Sequence, residues 1–380
     1  MASFSQRCTI TKSVLQILVL DLGEPSKFLK KAVNPPSDLA IKNALDLLES
    51  LGAAECNWDD SQNEITPNTQ DSNADVSTSL TALGYHLATI PVHPRVGKMM
   101  IYGALFGVYD SCLTMAAAMT SRSPFISSFD NRDAADEAKK SFAYDDHISI
   151  LLAFNQWRYL RQRDGRKAKA FLRENFLSYA ALQNIMQLRK QLEKYMLDIG
   201  FSASISPSGV ISINSNEMHL IRAVIAAGLY PNIIIAPKSL TGKTAGEVAF
   251  RGQKNDVFLH PCTIAFSATE LGSRYGCFHE IVKTSKVYVR DFTTVSKFAI
   301  LLFGGTLKVY QSHGVAAVDD WLKFRIHAKP ATLVKYLRSS MEALLLEKIM
   351  DPEIDVDATR KGKAVIDAVS ALLKMESIQQ

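Results

Sequence analysis

The chain has 380 residues, 47% of them apolar and 21% charged, with 43 Lys and Arg against 38 Asp and Glu for a net charge of +5. That is the composition of a folded protein of two or three domains, not of a disordered chain, and no run approaches the roughly 18 continuous apolar residues of a membrane span. Five cysteines (Cys8, Cys56, Cys112, Cys262, Cys277) contain no CxxC pair, and the N-terminus lacks a secretory signal. Both observations argue against a disulfide framework and for an intracellular setting, nuclear or cytoplasmic, with organelles left open.

Charge is unevenly spread. Residues 1–80 carry 6 Lys and Arg against 11 Asp and Glu, residues 151–200 carry 10 against 4, and residues 231–350 carry 16 against 9. Two basic segments beside an acidic one suit a polyanionic partner for the basic pair, although solvated surface charge would give the same totals.

In chain order, ITKSVLQILVLDLG predicts a helix ending at Gly23, and Ser37 or Asp38 opens a second one ending at Gly52. The polar stretch from Asn57 to Thr78 has no apolar period and reads as a loop or insertion. From Leu80 to about Gly200 the pattern is helical throughout. DDHISILLAFNQWRYLRQ there has Asp145 or Asp146 as its N-cap and Arg158, Arg161 and Arg163 near its end, where cations suit the helix dipole. After Asn232, short runs such as NIIIA, GEVAF, DVFLH, HEIVKTSKVYVR, FAILLF and TLKVY read as the strands of a small barrel. Two amphipathic helices close the chain.

Several motifs offer chemistry. Thr241-Gly-Lys-Thr244 imitates the end of a phosphate loop, but the glycine such a loop needs falls at Pro237, and Gly246–Phe250 reads as a strand where a helix should open. His260-Pro-Cys262 and Cys277-Phe-His279 could supply four zinc ligands, yet the spacing is loose and Pro261 interrupts one pair, so they read as ordinary strand residues and no metal is expected. No Ser lies in a nucleophile elbow. The pairs Asp145–Asp146 and Asp319–Asp320 fall where helix starts are expected and read as caps. What remains is a nucleic-acid pattern: Lys238, Lys243, Arg251, Lys254, Lys283, Lys286 and Arg290 interleave with Phe250, Tyr275, Phe278 and Tyr288. Barrels of the oligonucleotide-binding (OB) type hold single strands with such cations and stacking aromatics. Most of these aromatics are expected in the core.

The phrases PPSDLAIKNALDLLESLGA, LTALGYHLATIPVHPRVGKMMIYGALFG, DDHISILLAFNQW, IRAVIAAGLYPN, VFLHP, FAILLFGG and VDDWLKFRIHAK resemble, in this order, the C-terminal half of DEAH-box RNA helicases, closest to the RNA-helicase-A-like branch that includes quadruplex-resolving enzymes. The resemblance runs from about residue 12 to about 375. It implies an α+β multidomain chain: a winged helix over 1–90 with a polar insertion at 57–79, a helical ratchet domain over 91–229, an OB-fold over 230–350, and a helical extension over 351–380. It further implies that single-stranded or structured RNA, quadruplexes included, is the ligand, that RecA-like motor domains and a G-patch-type activator are partners, and that no membrane is involved. ATP and Mg²⁺ would serve the motor, whose motifs do not occur in these 380 residues, so the chain alone has no expected cofactor, catalytic residue or turnover. Carried over by position, His260, Lys238 and Arg251 would face RNA from the barrel, with Lys254, Lys283 and Lys286 beside them. Asp146, His147, Arg158 and Arg161 would face it from the ratchet, with a capping or packed role for His147 equally open. Arg95 and Lys98 would pin the ratchet to the motor. The reading is therefore the accessory half of a 3′-to-5′ RNA helicase that closes the RNA channel; its rival is a motor-less RNA-binding or scaffold protein.

Overall fold

The structure, a computed structural model, describes residues 4–58, 76–126, 132–201, 218–240, 242–310 and 314–375. It divides into two compact units, Met1–Pro94 and Arg95–Gln380.

The first unit has helices α1 (Phe4–Val19), α2 (Pro25–Leu29), α3 (Asp38–Ser50) and α4 (Ala82–Thr89) with strands β1 (Ala54–Trp58) and β2 (Val76–Leu80). Ser37 caps α3 by accepting the Ala40 N–H, and Gly52 ends it at φ +70°, a backbone setting that costs other residues more. The apolar stripe Ile41, Ala44, Leu45 and Leu48 packs α3 on α1, which buries Val14 and Leu15. The antiparallel ribbon runs from Ala54 opposite Leu80 to Trp58 opposite Val76. Both ends of the expected 57–79 insertion are thus strand, and its middle lies outside the described residues. Helices plus a ribbon are the parts a winged helix requires.

The second unit begins with α5 (Pro94–Leu105), α6 (Tyr109–Thr120), α7 (Arg132–Phe142), α8 (Asp146–Arg163), α9 (Gly165–Glu174), α10 (Tyr179–Asp198) and α11 (Met218–Leu229). Strands β3 (Ile233–Ile235), β4 (Phe250–Arg251), β5 (Asp256–Leu259), β6 (Tyr275–Lys283) and β7 (Val287–Val295) then close into a barrel in the order β3-β4-β5-β7-β6. The β5–β7 pair is parallel and the others antiparallel. Ile234, Phe250, Val257, Leu259, Phe278, Val289 and Phe292 fill the interior. Gly276 is required there, because a Cβ would lie 2.0 Å from the Phe292 ring. Helix α11, buried along most of its length, packs against β6 and β7 and links barrel to helices.

The barrel ends at Val295. FAILLF, expected as a strand, is helix α12 (Lys297–Phe303), which Ser296 caps by accepting the Ala299 N–H. A separate antiparallel sheet, β8 (Leu307–Tyr310), β9 (Val315–Val318) and β10 (Leu322–Arg325), follows, then α13 (Ala328–Met350) and α14 (Arg360–Met375). Asp319 and Asp320 cap no helix: they form the β9–β10 turn at φ +48° and +61°, which short polar side chains tolerate. The Asp319 carboxylate accepts from the Thr306 N–H and the Tyr230 hydroxyl.

Candidate nucleic-acid interface

Strands β5 and β7 alternate between barrel interior and outer face, as period-2 geometry requires. Val257, Leu259 and Val289 point inward and are buried, whereas Phe258, His260, Tyr288 and Arg290 are half-exposed. Parallel pairing sets Phe258 opposite Tyr288, with ring centroids 6.3 Å apart, and the His260 ring meets Tyr288 edge-on at 5.9 Å. The Lys286 ammonium sits 4.2 Å from the centre of the Phe258 ring. Arg290 donates to His260 Nε2 at 3.2 Å and pairs loosely with Glu280 at 3.7 Å. On the other side of the ring, Nδ1 lies 3.2 Å from the Cys262 backbone nitrogen and 2.9 Å from the Cys262 sulfur. Burial and the neighbouring Arg290 charge both lower the His260 pKa, which favours the neutral ring. The result is an aromatic shelf with one cation over it and one beside it.

Around this shelf the expected cations divide. Lys283 and Lys286 flank the exposed β6–β7 turn, and Lys254 lies exposed in the β4–β5 turn. Lys238 and Arg251 are exposed on the β3–β4 side, and no contact among the described residues joins them to the shelf. Phe250 and Phe278 belong to the core, and Tyr275 packs on Phe324. Phe258 is the residue missed from the sequence; the alternation of DVFLH, with Val257 and Leu259 as its inward pair, was the signal for it.

Asp146 and His147 are not at the surface. They are 2% and 3% exposed and belong to a joint between α8 and the barrel. Asp145, 1% exposed, makes no capping bond to its own helix. It accepts from the Thr294 N–H (2.7 Å) and hydroxyl (2.8 Å) and from Arg222 Nε (2.8 Å), tying α8, β7 and α11 together. Asp146 accepts from the backbone N–H groups of Phe292 (3.0 Å) and Ile264 (3.1 Å) and from Lys139 Nζ (2.7 Å). Burial works to lower the Lys139 pKa, but the Asp146 charge outweighs it and the net shift is upward. His147 Nδ1 meets the Thr293 hydroxyl at 2.8 Å, and burial pushes its pKa down to about 4. Capping and RNA contact by Asp146 are both corrected: each carboxylate oxygen is spent on the joint. For His147 the packed alternative holds.

At the far end of α8, Arg158 pairs with Asp110 at 3.2 Å, where Arg189 also binds. Burial tends to raise the Asp110 pKa, but the two arginines hold it below the usual carboxylate range. Arg161 is exposed, over Trp157 at 5.3 Å. Arg95 and Lys98 are half-buried; burial, then the Arg338 charge, lowers the Lys98 pKa to about 8. The phosphate-loop imitation is a turn: Thr244 and Glu247 form a capping box on one 3₁₀ turn, so GEVAF is strand only at Phe250. Thr241 lies outside the described residues. Among the described residues, no group of three or more His, Cys, Asp or Glu converges as metal ligands would.

A helical domain jointed to a five-stranded OB barrel and followed by a sheet and two helices defines the class: the accessory C-terminal region of RNA helicases. Three family models match it in this order, the ratchet-like helicase associated domain (HA2) over residues 93–179, the OB-fold over 221–307, and the C-terminal domain in RNA helicases over 314–375. The chain belongs to the DExH-box helicases as their C-terminal part. It is 34% identical to the ATP-dependent RNA helicase dhx29 of Xenopus laevis, 34% to the DExH-box ATP-dependent RNA helicase DExH1 of Arabidopsis thaliana and 33% to the ATP-dependent DNA/RNA helicase DHX36 of Bos taurus. Each alignment covers 97% of this chain but 26%, 35% and 35% of the relative, so the chain spans about a quarter to a third of the length of the curated relatives it matches.

Proposed function

We propose that this chain is the RNA-binding accessory region of an ATP-dependent 3′-to-5′ RNA helicase, and that its barrel holds single-stranded RNA on the outer face of β5 and β7. The observation that carries the reading is the half-exposed Phe258–Tyr288–His260 shelf with Lys286 over it and Arg290 beside it. Bases stack on such rings whatever their identity, while the cations of the β6–β7 and β4–β5 turns meet phosphates. The names of the relatives, RNA and DNA/RNA helicases, support the ligand class. With the reading go closure of an RNA channel against motor domains that supply the ATP and Mg²⁺ chemistry, docking of those domains through Arg95 and Lys98, and access for a G-patch-type activator.

Fluorescence anisotropy with a labelled unstructured oligonucleotide tests it. Affinity falls with salt at about 0.7 log units per log unit for each phosphate neutralised, and Phe258→Ala with Lys286→Ala weakens binding about tenfold or more. Binding indifferent to salt and to both substitutions would sink the proposal.

A further inference from the structure

From Arg161 to Arg173 the sequence holds six Lys and Arg (Arg161, Arg163, Arg166, Lys167, Lys169, Arg173) and a single acid, Asp164. All six cations are exposed, and among the described residues none is ion-paired to a carboxylate. Asp164 is already engaged as the N-cap of α9, accepting the N–H groups of Arg166 (2.9 Å) and Lys167 (3.2 Å). Arg166, Lys169 and Arg173 stand three and seven residues apart, hence in a row of about 10 Å along one helix face. The opposite face buries Ala168 and Leu172, so the row is held by a packed helix.

The row offers charge without stacking surface. The one aromatic of α9, Phe171, packs on Phe142 with ring centroids 6.0 Å apart, and Trp157 beneath Arg161 is buried. A single strand gains much of its binding from base stacking, whereas a duplex hides its bases and presents phosphates on a stiff frame. The row stands on α9, which turns back from the end of α8: its Phe171 ring meets Phe142, four residues ahead of α8. We propose that α9 with the end of α8 is a second nucleic-acid surface, which takes the phosphate backbone of a double-stranded segment while the barrel takes the single strand. The inference rests on the RNA reading of the barrel. One partly unwound molecule, duplex at one end and single-stranded at the other, would engage both surfaces.

The test uses the 380-residue chain, a short blunt RNA duplex, an unstructured single strand of the same length and a duplex with a single-stranded tail, each titrated across a salt series. Arg166→Ala/Lys169→Ala/Arg173→Ala is expected to weaken duplex and tailed duplex by about tenfold or more and to flatten the duplex salt slope by about 3, with the single strand changed by less than about twofold. Arg166→Lys/Arg173→Lys keeps duplex binding, because a backbone contact needs charge rather than a fork. Loss of duplex binding in this charge-preserving variant overturns the proposal, as does an equal loss on single strand and duplex. No loss on either nucleic acid also overturns it and leaves the face to an acidic protein. Lys283→Ala/Lys286→Ala separates the two readings: if it spares single-strand binding while the α9 variant weakens the duplex, the barrel reading fails and the duplex surface stands.

Discussion

The two ends of α8 carry charged residues to opposite purposes. At the start, Asp145 and Asp146 are buried and every carboxylate oxygen has a donor from another element. At the end, Arg161 and Arg163 are exposed and rest on aromatic rings of their own helix, Arg161 also reaching the Met186 sulfur at 3.4 Å. A buried charge is tolerable only when fully partnered, so the first end is committed to architecture and cannot also greet a ligand. The second end keeps its charge available. Both ends read alike in the sequence, as polar residues bracketing an apolar helix; what separates them is a strand whose paired residues lie 146 and 149 positions further along the chain.

The sharpest way to break this contrast is Asp146→Ala, which strands Lys139 and two buried N–H groups. It should cost about 3–5 kcal/mol in chemical denaturation, and a loss below about 1 kcal/mol would mean the joint holds little. Next comes pH. His147 titrates at about 4 in the fold against an ordinary 6.5, so the unfolded chain binds the proton first and stability falls by roughly 3 kcal/mol as pH drops from 6.5 to 4. Asp291, whose pKa burial and then the Asp146 charge raise from 3.8 to about 6, works the other way and loses stability as pH rises through that range. The two slopes oppose each other. Thermal melting across this window should therefore show a profile that steepens toward acid in Asp291→Asn and tilts the opposite way in His147→Gln, relative to the unsubstituted chain. Parallel profiles for all three proteins would refute the assignment.

Effects on the exposed side should be smaller and should spare the fold. Phe258→Ala is expected to weaken single-strand binding by about 1–3 kcal/mol while the unfolding midpoint scarcely moves. Smallest of all is the pair within one helix: Arg158→Ala, which releases Asp110 from one of its two arginines, should cost about 1 kcal/mol, and Arg161→Ala less than about 0.5 kcal/mol. Equal stability losses in these two would erase the difference between a committed and an available cation.

Where the chain punctuates itself locally, the sequence was legible. Ser37 and Gly52 bracket α3 as read, and Gly200, at φ +94°, follows α10. The strands of the barrel showed through their alternation, apart from GEVAF; TLKVY is a strand of the separate sheet, and FAILLF is a helix. The latter failed because a six-residue apolar run fits a buried strand and a buried helix equally, and Ser296, whose hydroxyl takes the first free N–H, was the overlooked arbiter. The site was less legible for a different reason. His260 could be placed by resemblance, but its tie to Arg290 and Tyr288 depends on parallel β5–β7 pairing, a contact between strands thirty residues apart. Asp145 and Asp146 misled because a helix start and a tertiary joint use the same residue type.

The closed barrel leaves no strand edge, whereas the sheet of β8 to β10 has two. Unpaired backbone at an edge is a template for another extended chain, and charged side chains are the usual guard. Here Lys308 stands on β8 and Lys323 and Arg325 on β10, all exposed. The service expected of them is to solubility: neutralising them should first be visible in light scattering, as sheets of different molecules joined edge to edge.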